Sequence, residues 1–148
     1  MTALSEKAEA RCRASFARQQ AMATIGASVL SVAAGDVELE MPFSEKLTQQ
    51  HGFIHAGVIT MLADTACGFA ALSLMPDDAA VLTTEFKVNL LSPAKGERFV
   101  ARGRVVRPGK KLMVCLGEVF AEDAGQRKQV ALMTASMMVV ETSTGLRD

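Results

Sequence analysis

The sequence contains no tryptophan and no tyrosine, and only 5% of its residues are aromatic. Stacking platforms for bases and tyrosine general acids are thereby nearly excluded. It has no excess of either charge, since 16 Lys plus Arg balance 16 Asp plus Glu. A nucleic-acid binder normally carries a basic surface, so that class is disfavoured. There are three cysteines, Cys12, Cys67 and Cys115, all far apart. They form no CxxC pair, and an odd count does not suit a disulfide framework. A reducing, cytoplasmic setting is the simplest reading. The GxSxG, HExxH, GxGxxG and GxxxxGK[ST] patterns are all missing. No nucleophile elbow, zinc helix or nucleotide cradle is indicated, and neither a metal nor a cofactor is expected. The first residues are charged and helical in pattern, with no signal-peptide core, so no export is expected.

What is present is the material of one domain spanning residues 1–148. At 15.7 kDa, 49% hydrophobic and 22% charged, the chain can bury a full core without staples. Leu4, Ala8, Cys12 and Phe16 recur at four-residue spacing and predict an N-terminal amphipathic helix within residues 1–22. Gly26 and Gly35 punctuate two short extended segments, the second alternating over 37–41 and stopping at Pro42. Residues 44–54 read as a loop, and residues 55–75 as a long apolar segment stopped by Pro76. Four extended runs follow, at about 80–91, 98–107, 111–122 and 128–141, separated by turn chemistry. Residues 142–148 read as a frayed tail. Helices clustered with consecutive strands predict an α+β fold with an antiparallel sheet. Apolar runs in the late strands imply that both sheet faces are partly covered. One face would carry the long helix, and the other a second copy or the N-terminal helix.

The segment from Gly52 to Met75 is nearly long enough to span a bilayer. Asp64 stands near its centre, where a carboxylate costs roughly 2.5–3.5 kcal/mol, so a buried core helix is the better reading and no membrane is expected. Apart from Cys67, Asp64 is the only ionisable residue between His55 and Asp77. Burying an unpaired carboxylate is expensive, so such a group is usually paired or functional. Its helical neighbours are Gly57, Thr60, Met61, Cys67, Gly68 and Ala71, mostly small, which suggests a cavity beside it. The plainer alternative is a polar residue hydrogen-bonded at a subunit interface.

The stretch His51-Gly52-Phe53-Ile54-His55-Ala56-Gly57 leads straight into this helix. The first backbone N–H groups of a helix lack internal partners and favour an anion. Small residues at Ala56 and Gly57 would let a substrate reach them, as in an oxyanion hole. Alternatively, His55 caps the helix and the glycines make a turn. His55 and Asp64 are nine residues apart, hence on opposite sides of the helix and about 13 Å apart along it. Both can serve one small site only if two subunits build it. Cys67 reads as a core residue. The turn Arg107-Pro108-Gly109-Lys110-Lys111 is a cationic tip, either solvated or holding phosphates.

Taken in order, three stretches resemble the hotdog-fold acyl-CoA thioesterases of the phenylacetic-acid-degradation type. They are His51–Gly57, Leu62-Ala63-Asp64-Thr65-Ala66, and Thr84-Glu85-Phe86-Lys87-Val88-Asn89-Leu90-Leu91-Ser92-Pro93-Ala94. The Arg107–Lys111 turn resembles that family's glycine-plus-basic turn, and the resemblance runs from about Phe16 to Val140. It implies a six-stranded antiparallel sheet wrapped around the long helix. It also implies sheet-joined homodimers that pair into homotetramers, with the active site between subunits. It implies hydrolysis of an acyl-CoA to free acid and CoA, with coenzyme A present only as part of the substrate. By the same resemblance Asp64 is general base or nucleophile, and the Ala56 N–H is the oxyanion donor, preceded by the family's histidine at His55. Gln49 is the polar loop residue, Thr83 the hydroxyl that places water, and Arg107, Lys110 and Lys111 the candidates for the CoA phosphates. Gly57 gives the substrate room. Two positions depart from the pattern: Ala56 stands where glycine is commoner, and Gln49 where many members have Asn. Both bear on substrate choice. The alternative implied by the same scaffold is a protein that binds acyl-CoA or another small ligand without turning it over.

Overall fold

A computed structural model of the protein describes residues 4–148. Helix α1 (Glu6–Ala17) starts at Ser5, whose hydroxyl accepts from the Ala8 N–H, and Glu6 and Glu9 face the positive helix end. The single N-terminal helix expected from the spacing is in fact two. The chain turns at Arg18 and Gln19, and α2 (Gln20–Ile25) ends on Gly26 in the left-handed region at φ 71°. The break has a packing cause. On one straight helix Ile25 would point about 140° away from Cys12. With the break, Cys12, Met22 and Ile25 are all buried.

Six strands form one antiparallel sheet: β1 (Ser28–Ala33), β2 (Asp36–Pro42), β3 (Ala80–Leu90), β4 (Arg98–Arg107), β5 (Leu112–Asp123) and β6 (Gln126–Val140). Their spatial order is β1-β2-β4-β5-β6-β3. The expected four late strands and two early ones are all present, and the α+β arrangement with a central helix is the one the resemblance implied. Burial alternates along β2 and β5, the sign of a sheet with one face on the core.

The core face packs on α3 (Ala56–Leu72), which is shorter than the apolar segment that announced it. Residues 52–55 are not helical. Ile54 bridges Thr48 and its N–H bonds the Ala94 carbonyl, so His55 becomes the N-cap. Every residue from Leu62 to Leu72 is buried except Asp64 and Gly68. Cys67 and Ala71, placed by helical spacing on the Asp64 face, belong to the core instead. Two glycines let α3 come this close. Gly103 and Gly117 are cross-strand partners on β4 and β5. A Cβ on Gly103 would lie 2.2 Å from the Ala66 carbonyl carbon, and one on Gly117 2.9 Å from the Cys67 Sγ. Among the described residues, no helix is long and apolar enough to cross a membrane.

The N-terminal helix covers the far end of α3 and not the outer sheet face. Phe16 meets Phe69 edge to face, with centroids 5.8 Å apart. The Arg11 guanidinium donates to the carbonyls of Leu72 at 2.7 Å and Met75 at 3.1 Å, closing the C-terminal end of α3. The outer face therefore keeps an uncovered apolar row, the cross-strand neighbours Leu82, Met138 and Leu112. Strand β3 is a sheet edge, exposed over most of its length. Phe86 and Leu90, opposite the inward Ala135 and Ala131, lie on the α3 side and remain exposed.

The tail is not frayed. After a 3₁₀ turn (Thr142–Thr144), it returns so that the Asp148 carboxylate accepts from Ser15 Oγ at 2.9 Å and from the Val81 N–H at 2.6 Å. An edge strand leaves amides unpaired, and the carboxylate satisfies one of them.

Candidate active site

Two cavities flank α3, one at its start and one at its middle. The first, of about 500 Å³, is lined by Gln49, Ala56, Ile59, Leu90 and Val130 among others. The loop that carries Gln49 is tightly tied. The Gln49 N–H donates to the Phe53 carbonyl, its side-chain oxygen accepts from the His51 N–H, and Gly52 turns at φ 83°. The side-chain oxygen of Gln49 is thus engaged within the loop.

At the helix start the imidazole of His55 is the cap: its Nδ1 accepts from the Gly57 N–H at 2.8 Å. Two consequences follow. The Gly57 N–H is already used, so of the two small residues expected to expose their amides only Ala56 does so. Among the described residues the Ala56 N–H has no acceptor. Gly57 leaves room for the cap, because a Cβ there would lie 3.1 Å from Nδ1 and press on the imidazole. The α3 first turn contains no acidic residue, so its positive end is unquenched.

The second cavity, of about 170 Å³, is lined by Asp64, Thr83, Thr65, Gly68, Gln19 and Asp148, with Phe69, Val81 and Leu82 as apolar walls. Asp64 is half-buried. Thr83 Oγ1 donates to its Oδ1 at 2.8 Å. Burial raises the Asp64 carboxyl above its ordinary 3.8, and the Thr83 hydrogen bond offsets only part of that rise. A carboxylate of raised basicity, fixed by one donor and facing a cavity, is suited to taking a proton from water. The cysteines offer no competing nucleophile. All three are buried and free, with thiols pushed up by burial, Cys12 and Cys115 to about 11.

The structure thus brings together Asp64 and Thr83, and separately Gln49 and Ala56 with the His55 cap. It does not bring the two sets together within one chain, because α3 is continuous and eight residues separate Ala56 from Asp64. Nor does it bring Arg107, Lys110 and Lys111 to the helix start. Leu90, a wall of that cavity, lies level with Val119 on β5 through Ala131. The cationic turn begins beyond Leu112, seven residues and roughly 23 Å further along. Gln19 and Asp148 escaped the sequence reading. For Gln19 a signal existed: the four-residue spacing 4, 8, 12, 16 fails at Gln20, which marks the helix break. For Asp148 there was none. Among the described residues, His, Cys, Asp and Glu form no cluster of three that could hold a metal ion.

A six-stranded antiparallel sheet wrapped around one central helix, with an open amide at the helix start and a carboxylate at its middle, defines a hotdog-fold protein. Residues 51–128 match the model of the thioesterase superfamily. A thioesterase family protein of Silicibacter pomeroyi has 50% identity, with 90% of this chain and 98% of that one covered and a TM-score of 0.90. The PaaI protein of the E. coli phenylacetic acid degradation operon shares the fold, at 24% identity, 93% and 96% coverage and a TM-score of 0.82. A provisionally named esterase of Halobacterium salinarum is 37% identical over 95 residues, 61% of this chain and 62% of that protein. The 1,4-dihydroxy-2-naphthoyl-CoA hydrolase of Listeria monocytogenes is 29% identical over 91 residues, 62% and 74% of the two chains. The chain spans 59–66% of the length of the curated relatives from H. salinarum and Saccharolobus solfataricus. It belongs to the thioesterase superfamily.

Proposed function

We propose that the protein hydrolyses acyl-CoA thioesters in a site shared by two subunits. One observation carries this reading: the open Ala56 N–H and the Thr83-held Asp64 lie in different cavities along one helix. A symmetric dimer resolves the separation. Strand β3 is an exposed edge bearing Phe86 and Leu90, and such an edge pairs readily with another strand. Antiparallel pairing of two β3 strands about a two-fold axis turns the Leu90 end of one toward the Thr83 end of the other. Each site then takes Asp64 and Thr83 from one protomer and Ala56 and Gln49 from its partner. The bare Leu82, Met138 and Leu112 row supports pairing of dimers into a tetramer through the outer faces.

In this site the thioester carbonyl oxygen accepts from the Ala56 N–H at the positive end of α3. As water attacks the carbonyl carbon, Asp64 accepts its proton and charge grows on the oxygen. A preorganised donor is worth about 3 kcal/mol there, and the base about 10²–10⁴-fold. The C–S bond breaks and CoA leaves as the thiol, with the free acid as second product. Direct attack by the Asp64 carboxylate, through an anhydride that water opens, uses the same residues. His55 holds the donor in place, Gln49 lines the approach, and Arg107, Lys110 and Lys111 take the CoA phosphates. The CoA thioester named for the Listeria relative supports this substrate class, and three unpaired thiols suit a cytoplasmic setting.

The test exploits the shared site. Ala56 is the first helical residue, where proline is tolerated and only the N–H is lost. Asp64→Asn and Ala56→Pro are each expected to be nearly inactive in thiol release from acyl-CoAs. Mixed, unfolded and refolded together, they should recover about a quarter of parent turnover, since half the dimers are hybrid with one intact site of two. Absence of thiol release by the parent would overturn the hydrolase reading, full activity of Asp64→Asn would overturn the role of Asp64, and absence of recovery in the mixture would overturn the shared site.

A further inference from the structure

The cavity beside Asp64 and a neighbouring hollow of about 240 Å³ have one wall in common: Asp148 lines both. The hollow beyond it is lined by Asp77, Asp78 and Arg147. The wall is built rather than incidental. Its two carboxylate oxygens accept from two different elements, Ser15 Oγ on α1 at 2.9 Å and the Val81 N–H on β3 at 2.6 Å. Ser15 is buried, and Val81 stands two residues before Thr83 on the strand that holds Asp64 in place. The Asp64 cavity, at about 170 Å³, holds about the volume of five or six waters. Phe69 and Val81 stand on the same lining as Asp148.

We propose that Asp148 is the partition that sets the upper size of the acyl group admitted beside Asp64. This rests on the acyl-CoA reading above. The limit is both steric and electrostatic. The side chain stands on the lining of both hollows, between them. An alkyl chain pressed against it would also strip the remaining solvation of a carboxylate, which is costly. Removing the carboxylate releases the tail from α1 and β3 and joins the two hollows.

The experiment measures calorimetric binding of S-alkyl-CoA thioethers, from ethyl to hexadecyl, to the parent, Asp148→Ala, Asp148→Asn and Ser15→Ala. Thiol release from the matching acyl-CoAs is followed beside it. The parent should bind short chains best and lose affinity beyond a defined length. Asp148→Ala should move that limit to longer chains, raising the long-to-short affinity ratio by about tenfold or more. Asp148→Asn keeps the volume and one acceptor but loses the charge, so it should move the limit less than Asp148→Ala does. Ser15→Ala loosens the latch without touching the cavity wall, so it should shift the limit in the same direction if Asp148→Ala does not fold. A merely structural role would weaken all lengths alike, and that result, or an unmoved limit, overturns the partition. A shifted limit without thiol release in the parent leaves the partition standing and removes the hydrolase reading. Thiol release with an unmoved limit does the reverse. Absence of both binding and release overturns both.

Discussion

Thr83 Oγ1 donates to Asp64 Oδ1 at 2.8 Å, joining the edge strand to the central helix across nineteen residues of sequence. The two groups act on one quantity in opposite directions. Burial of Asp64 destabilises its ionised form, and the hydroxyl stabilises it.

A pH dependence follows with a definite sign. If Asp64 is the base, turnover falls on acidification with a midpoint above the ordinary 3.8 of an aspartate. Thr83→Val removes the donor to the ionised form, so the midpoint should move to higher pH while maximal turnover declines. Profiles of kcat against pH for parent and variant check this. A midpoint that moves to lower pH would show that Thr83 does not stabilise the carboxylate.

Asp64→Asn should separate activity from stability. Because the folded carboxyl has the raised value, the native state holds its proton more tightly than the unfolded chain does. Stability from this group is therefore present at low pH and is lost as pH rises from 3.8 through the folded value. At pH 7 the parent carries the cost of a buried charge and the asparagine variant does not. Urea unfolding at pH 7 should find Asp64→Asn at least as stable as the parent. The gap should narrow at acid pH, while thiol release is lost at both.

Gly103→Ala should be severely destabilising. The new Cβ would meet backbone atoms of Ala66 and Cys67, which cannot move aside as a flexible side chain can. A loss of about 3 kcal/mol is expected. Gly68→Ala, on α3 itself, is the contrast. Nothing lies within 4 Å of its added methyl, and the higher helix propensity of alanine should stabilise by up to about 1 kcal/mol. Denaturant midpoints of the two variants check both signs.

Phe86→Asp should break the dimer and spare the protomer. Phe86 is 46% exposed on an unpaired edge strand, so a charge there costs the single chain little but opposes strand pairing. Sedimentation should show an assembly at most half the parent's size, with the parent's far-ultraviolet dichroism, and thiol release should vanish with the β3 pairing. An assembly of the parent's full size with activity retained would place the interface elsewhere.

Local chemistry wrote much of this molecule into its sequence. Turn residues at Gly35, Pro93, Pro108 and Gly125 separated the strands near their true ends. Asp64 stood out because a lone charge in an apolar helix demands a partner or a purpose. Thr83 came from the resemblance alone, because no periodicity links an edge strand to a helix nineteen residues earlier. The lapse of the four-residue spacing at Gln20 marked where the first helix ends, but that spacing describes only one face of one helix. It does not say where a second face must turn to meet the core, and Ile25 turned it.

The sequence by itself determined the α+β class, the element order, the central helix and its carboxylate, since each follows from neighbours within a turn or a hairpin. Only the tertiary structure decided which helix-start amide stays open, because that depended on where the His55 ring came to rest. It alone also decided that β3 is an exposed edge and that the tail returns to place Asp148 on the Asp64 cavity. Those facts arise from contacts between residues far apart in the chain, made only when the sheet closes around the helix.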